Sequence, residues 1–252
     1  MCGGEVMEKV ILIVHGMRKG ELNQKLIQFV DQLFEGDKLN YDIAFLESET
    51  KDLNTTLTKH IRQGADTLYL VPLLLFSASH YYEDIVVALE KWQAQYPNIV
   101  FHLTKPLGTH PKMETWARYR IEAIERTSGQ SVGVVLLAHG SERFNEPDLA
   151  LTRIANQLST AQETCYPSMV YGALDFKTRL LQIAQQHDTL CIVPFFLFDG
   201  FLVQRTKAQI RMMQLPCEVK FTNAINFHPI LKGIILSRLS ECRGGVPCIQ
   251  YS

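Results

Sequence analysis

The sequence predicts an α/β protein made of two similar lobes, each built on a doubly wound parallel sheet, that face a central cleft. The first observation is VILIVHG at residues 10–16, a β-branched run too short for a buried helix and typical of a buried parallel strand. The second is the alternation of such runs with amphipathic helical segments, which favours a parallel sheet. The third is the return of the first run as VGVVLLAHG at residues 132–140, which indicates an internal duplication with one copy in each lobe.

The first copy reads as four strand–helix units. After the strand at 10–14, the apolar residues Leu22, Leu26 and Phe29 share one face of a helix predicted over 21–34. Apolar runs that alternate with helical spacing of apolar residues continue along the first copy. They predict, in order, a strand at 41–46, a helix at 53–61, a strand at 67–75, a helix at 82–92, a strand at 98–103 and a helix that ends near 125. Such a succession of βα units places all strands of the copy in one parallel sheet.

The second copy repeats this plan. Its elements are a strand that ends at 139, a helix at 145–158, a strand at 168–174, a helix at 176–186, a strand at 189–196, a helix that ends at 213, a strand at 218–222 and a final helix. The segment TSGQS at 127–131 is the predicted linker. The expected domains are an amino-terminal lobe at 8–127 and a carboxyl-terminal lobe at 131–240, followed by a flexible tail at 241–252 that carries Cys242 and Cys248.

Composition excludes several classes of function. The chain has 252 residues, of which 46% are hydrophobic and 20% charged, and a formal net charge of −1, so no broad basic surface favours nucleic acid as a partner. No apolar run approaches the roughly 20 residues that span a membrane. The amino end has no basic segment of the kind that opens a signal peptide, whether translation starts at Met1 or Met7. We therefore expect a cytoplasmic monomer with reduced thiols.

Polar side chains follow the predicted strands of the first copy. His15, Glu47, His80 and His110 each come just after a strand, and the carboxyl ends of parallel strands share one edge, where open α/β sheets bind ligands. Two imidazoles and a carboxylate suit a borderline divalent metal such as iron, cobalt, nickel or zinc. Such a sparse ligand set fits transfer of a metal ion better than its permanent storage.

These residues carry a family resemblance. The ordered set is His15 with Gly16, FLE at 45–47, PLLL at 72–75 followed by His80, and PLGTHP at 106–111. It resembles the class II tetrapyrrole chelatases, and among them the sirohydrochlorin chelatases, over essentially the whole chain. The resemblance implies insertion of Fe²⁺ into sirohydrochlorin to form sirohaem without ATP, with insertion of Co²⁺ for cobalamin synthesis as the alternative. It implies His15 and His80 as metal ligands and catalytic proton acceptors, assisted by Glu47. The metal ion is then a substrate, and no permanently bound cofactor is expected.

The implied chemistry agrees with the residue types. Metal insertion releases two pyrrole protons, so the enzyme needs bases that work near neutral pH. It also needs to bind the metal ion weakly enough to release it. Histidine, with an ordinary pKa of about 6.5, supplies both. The macrocycle is a polycarboxylate, so its binding surface should offer cations and hydrogen-bond donors. Candidate substrate contacts are Arg18, Ser77, Ser79, His110 and His139, together with Arg143, Arg205 and Lys207 of the second lobe.

Only the first lobe is expected to carry the complete site. His139 repeats His15, but the place of Glu47 falls near Ala173 and that of His80 near Leu202. One imidazole without these partners cannot form the same site, so the second lobe should supply an opposite wall. A function of another class stays open at this point, namely a bilobal metal-binding or small-molecule-binding protein without catalysis.

Overall fold

A computed structural model describes residues 7–16, 21–126, 128–226, 228–244 and 249–251. The chain divides into two compact units: unit 1 comprises Met1–Gly108 and Pro229–Ser252, and unit 2 comprises Thr109–His228. Within the described ranges, no helix is both long enough and apolar enough to span a bilayer.

Each unit contains one sheet with flanking helices. The strands are β1 (Glu8–Val14), β2 (Tyr41–Phe45), β3 (Thr67–Pro72), β4 (Val100–Leu103), β5 (Val132–Gly140), β6 (Cys165–Tyr171), β7 (Thr189–Pro194), β8 (Glu218–Phe221) and β9 (Ile249–Tyr251). The α-helices are α1 (Glu21–Leu33), α2 (Leu53–Arg62), α3 (Val87–Gln95), α4 (Pro111–Glu122), α5 (Glu146–Leu158), α6 (Phe176–Ile183), α7 (Phe201–Met212) and α8 (Ile230–Arg243). A π-helix, His80–Val86, precedes α3, and a 3₁₀ turn, Leu107–Thr109, precedes α4.

The two sheets have the same strand order, which confirms the predicted doubly wound parallel architecture. Unit 1 has the order β2-β1-β3-β4-β9 and unit 2 the order β6-β5-β7-β8. All neighbouring strands are parallel except β4 and β9. β1 lies between β2 and β3, and Ile11, Leu12 and Ile13 are fully buried although successive side chains point to opposite faces. Burial on both faces explains why its sequence is continuously apolar.

The duplication extends to register and helix capping. Val14 pairs with Phe45 in unit 1, and Ala138 pairs with Met169 in unit 2. The next helix begins in both units at an aspartate N-cap. The carboxylate of Asp52 accepts the backbone N–H of Thr55 at 2.9 Å, and the carboxylate of Asp175 accepts that of Thr178 at 2.9 Å. The two halves therefore share local interactions as well as topology.

The last helix of each copy lies in the other unit, which differs from the predicted division at 127–131. α4 contacts β7 and α5, and it buries Met113, Trp116 and Ile121. α8 contacts β3, and Arg238 on α8 donates to the carbonyl oxygen of Pro106 at 3.0 Å. The two compact units therefore differ from the expected lobes 8–127 and 131–240 by the exchange of the last helix of each copy. An apolar helix face indicates that the helix packs on a sheet, but it does not indicate which of the two sheets.

Two further element predictions need correction. The strand predicted at 168–174 is β6, which begins at Cys165 and ends at Tyr171. Pro167 obscured its start, since proline is rare in strands, but β6 lies at the sheet edge where a missing backbone donor is tolerated. In the tail, Cys242 is buried within α8, and β9 pairs antiparallel with β4. The tail is therefore not simply flexible; Cys248 lies outside the described residues.

Candidate functional site

His15 lies at the carboxyl end of β1, where a tight turn fixes its ring. Gly16 follows with a φ of +70°, and a Cβ atom at Gly16 would lie 2.6 Å from Cδ1 of the buried Phe45 ring. Glycine is therefore required at this turn. The Nδ1 atom of His15 lies 3.0 Å from the carbonyl oxygen of Gly16. Because a carbonyl can only accept, Nδ1 carries the proton and the Nε2 lone pair is left for a metal ion or a proton.

Glu47 lies beside His15 because β2 pairs with β1. The backbone N–H of Glu47 donates to the carbonyl oxygen of His15 at 2.9 Å. Its Oε1 atom lies 4.0 Å from Nε2 of His15, and the side chains are 48% and 44% exposed, respectively. This separation is within ion-pair range but too long for a hydrogen bond, so both atoms remain accessible to a third group.

His80 joins this pair from the neighbouring strand–helix connection. It is the first residue of the π-helix that follows β3, and β3 pairs with β1. The rings of His15 and His80 contact edge to face, with centroids 4.3 Å apart and planes at 86°. The structure therefore brings the three predicted catalytic residues together at one edge of the unit 1 sheet.

A fourth residue, Asp84, was missed in the sequence. Its Oδ2 atom lies 2.7 Å from Nδ1 of His80, which is the shortest contact in the cluster. The spacing of four residues is the signal that could have identified it, because side chains four apart meet on a helix surface. Asp84 also lines a pocket of about 470 Å³ that includes Leu46 and Trp92.

The other residues of the first copy that were predicted to contact the substrate differ in where the structure places them. His110 is 6% exposed and is the N-cap of α4, where its Nδ1 atom accepts the backbone N–H of Lys112 at 3.1 Å. The ring therefore has a structural role at the start of α4, and its contact with the macrocycle stays a prediction. Ser77 and Ser79 are half-buried in the loop before His80, and Ser79 makes no side-chain capping bond to the π-helix. Arg18 lies outside the described residues.

Unit 2 repeats His15 without its partners. The Nδ1–H of His139 donates to the carbonyl oxygen of Gly140 at 2.9 Å, as the corresponding group of His15 does. Strand register shows that Tyr171, not Ala173, corresponds to Glu47, and its ring centroid lies 5.1 Å from that of His139. The helix after β7 begins at Phe201, and neither Phe201 nor Leu202 at the place of His80 supplies an imidazole. Unit 2 therefore lacks the second imidazole and the carboxylate.

The three basic side chains of unit 2 that were predicted to bind substrate carboxylates differ in their burial. Lys207 is 6% exposed, and its Nζ atom lies 2.9 Å from Oδ1 of Asp199. Lys207 is thus buried in an ion pair with the partly buried Asp199 and is not available to a substrate carboxylate. Arg143 and Arg205 are exposed. These two arginines remain the candidates for substrate binding in this unit.

The side-chain arrangement limits the chemistry. The described part of the chain contains no group of three or more histidine, cysteine, aspartate or glutamate residues placed to hold a metal ion. It does contain the imidazoles of His15 and His80, whose hydrogen bonds at Nδ1 leave the Nε2 lone pairs available, and Nε2 of His15 lies near the Glu47 carboxylate. Such a pair can take up and release a divalent ion, and it can accept protons close by.

Curated relatives match nearly the whole chain. The sirohydrochlorin ferrochelatase of Bacillus subtilis strain 168 is 27% identical over 248 residues, which cover 93% of this chain and 92% of the relative. The sirohydrochlorin cobaltochelatase of Priestia megaterium is 25% identical over 252 residues, which cover 95% of this chain and 81% of the relative. The names of these relatives differ in the metal.

Solved structures share the two-lobed α/β fold. SirB from Bacillus subtilis with Fe³⁺ has a TM-score of 0.79 at 23% identity, with 95% of this chain and 98% of that chain covered. SirB from Bacillus subtilis subspecies spizizenii in complex with cobalt has a TM-score of 0.78 at 23% identity, with coverage of 98% and 100%. The CbiX family model matches residues 9–124 and residues 133–242, one segment in each copy of the duplication. The chain therefore belongs to the CbiX family, the family of the sirohydrochlorin chelatases.

Proposed function

We propose that this chain inserts Fe²⁺ into sirohydrochlorin to form sirohaem, without ATP, at the His15–His80 pair of unit 1. The observation that carries the proposal is the edge-to-face contact of the two imidazoles, 4.3 Å between centroids, with the Glu47 carboxylate 4.0 Å from Nε2 of His15. Membership of the CbiX family supports the substrate class. The relative named a ferrochelatase supports iron as the metal.

The reaction exchanges one Fe²⁺ for the two pyrrole protons of the macrocycle. The Nε2 atoms of His15 and His80 hold the incoming ion, because hydrogen bonds at Nδ1 leave these lone pairs open. As the ion moves to the pyrrole nitrogens, the imidazoles become free to accept the departing protons. Glu47 stabilises the imidazolium of His15 or accepts a proton from it, since a nearby carboxylate favours the charged ring.

The choice of metal is tested by competition. Sirohydrochlorin and protein are mixed anaerobically with equimolar Fe²⁺ and Co²⁺, and the products are separated by chromatography and identified by absorbance. We expect the iron product to predominate, with a larger kcat/KM for Fe²⁺ in separate assays. Predominance of the cobalt product would instead establish the second candidate function, which the relative named a cobaltochelatase supports.

Replacement of Glu47 by glutamine separates proton handling from substrate binding. Glutamine preserves the size of the side chain but cannot take a proton or carry charge. We expect Glu47→Gln to lower kcat about 10-fold or more, while the KM for sirohydrochlorin stays within about twofold of wild type. Glu47→Asp, which retains a carboxylate, is the matched control and should recover part of the rate. An unchanged kcat with a raised KM would make Glu47 a substrate-binding residue instead.

The histidine of unit 2 provides a test of asymmetry. His139 is exposed and has the same ring hydrogen bond as His15, but Tyr171 takes the place of the carboxylate and no imidazole stands at the start of the helix after β7. We expect His139→Ala to keep kcat within about threefold of wild type, as for an exposed residue outside the reacting atoms. Side-by-side initial rates of His139→Ala and His15→Ala check this. Equal loss in both variants would show that unit 1 alone does not form the active site.

A further inference from the structure

The contact between His80 and Asp84 differs from the other contacts of the cluster. Nδ1 of His80 and Oδ2 of Asp84 lie 2.7 Å apart, with the side chains 41% and 50% exposed. The hydrogen bond at His15 ends on a backbone carbonyl, whereas the one at His80 ends on an ionisable side chain. Asp84 is therefore the one hydrogen-bond partner of the two rings that substitution can remove.

The local backbone explains why these two residues meet. His80–Val86 is a π-helix, and the backbone N–H of Val87 donates to the carbonyl oxygen of Tyr82, five residues earlier. In a helix of this width, residues four apart lie close to one another on the same side. π-helical turns are rare and occur frequently at functional sites. Here the turn places a carboxylate beside the ring that begins it.

The chemistry of the contact determines which nitrogen is protonated. An ionised carboxylate only accepts hydrogen bonds, so Nδ1 of a neutral His80 must carry the proton and donate it to Asp84. The Nε2 atom is then unprotonated. The carbonyl oxygen of Gly16 imposes the same tautomer on His15. In both rings, Nε2 is therefore the nitrogen whose lone pair is available to bind a metal ion or a proton.

We propose that Asp84 is a positioning residue that holds His80 in the Nδ1–H tautomer and fixes the orientation of its ring. The role is to act through His80, and Asp84 itself touches neither the metal ion nor the macrocycle. The kinetic part of this inference rests on the proposed function of His80, whereas the tautomer part does not. Outer hydrogen-bond partners of metal-binding histidines typically change metal affinity or activity 10- to 100-fold when they are removed.

The tautomer is measured directly by ¹⁵N NMR on histidine-labelled full-length protein, at a pH about two units above the ordinary imidazole pKa of ~6.5. We expect His80 in the wild type to show the Nδ1–H pattern and Asp84→Ala to show a mixture of the two tautomers. Asp84→Asn should restore much of the wild-type pattern, because its side-chain carbonyl still accepts. Glu83→Ala removes the adjacent carboxylate and should leave the pattern unchanged. A wild-type Nδ1–H pattern that persists in Asp84→Ala would overturn the proposal.

The kinetic consequence is measured on the same variants. We expect Asp84→Ala to lower kcat about 10- to 100-fold with little change in the KM for sirohydrochlorin, Asp84→Asn to be intermediate, and Glu83→Ala to match wild type. Equal kcat in Asp84→Ala and wild type would overturn the positioning role. If the wild type itself inserts no metal, the proposed function fails, and the NMR result still decides whether Asp84 sets the tautomer.

Discussion

Replacement of either histidine of the pair should abolish most metal insertion while the protein stays folded. We expect His15→Ala and His80→Ala each to lower kcat by about 100-fold or more, because each removes both a ligand for the incoming ion and a proton acceptor. The side chains of His15 and His80 are 44% and 41% exposed, so their loss leaves the core intact. Initial rates of macrocycle metallation, with circular dichroism and thermal melts on the same samples, check both parts.

The double variant sharpens this test. Residues that act as one unit give strongly non-additive losses, so His15→Ala combined with His80→Ala should be scarcely less active than either single variant. Multiplied losses in the double variant would show that the two rings act in separate steps. Normal turnover in either folded single variant would contradict the assigned site.

The largest effect on stability is expected in unit 2, at the ion pair between the buried Lys207 and the partly buried Asp199. Nζ of Lys207 lies 2.9 Å from Oδ1 of Asp199, and the Nδ2 atom of Asn226 donates to Oδ2 of Asp199 at 2.6 Å. Removal of one partner leaves an uncompensated buried charge, which costs about 3–5 kcal/mol. We therefore expect Asp199→Ala to lower the free energy of unfolding by about 3 kcal/mol in denaturant titrations.

A matched variant and a pH series test the cause. Asp199→Leu combined with Lys207→Met removes both charges and should be more stable than Asp199→Ala. Burial alone would raise the pKa of Asp199, but hydrogen bonds from Lys207 and Asn226 outweigh it and hold the pKa below its ordinary value. The stabilisation is thus present above the unfolded pKa of about 3.9 and is lost as the pH falls below it. An equal acid sensitivity of wild type and Asp199→Ala would refute the contribution of this pair.

The juxtaposition of His15, Glu47 and His80 was predictable because strand ends are marked in the sequence. His15 follows a run of aliphatic residues, and parallel pairing brings Glu47 and His80 to the same sheet edge. His110 follows the same rule in the sequence, yet its ring caps α4. The rule locates a residue at an edge, but it does not distinguish a ligand from a helix cap.

The features that sequence patterns did not predict are those that depend on packing between elements. β6 begins at Cys165 despite Pro167, and only the strand register identifies Tyr171 instead of Ala173 as the counterpart of Glu47. The assignment of α4 and α8 to the opposite units depends on which sheet each apolar face meets, and periodicity does not specify the partner. Hydrophobic periodicity does not reveal the pairing of Asp84 with His80, whereas their spacing of four residues on a helix could have indicated it.

The proposed function requires that the chain be a catalyst with one metal-insertion site. The most direct test is an anaerobic time course with sirohydrochlorin and Fe²⁺ in large excess over protein, followed by absorbance of the macrocycle. We expect many turnovers per protein chain, at a rate proportional to protein concentration and far above the rate without protein. A change in absorbance that stops at one equivalent per chain would show instead that the chain is a non-catalytic binding protein.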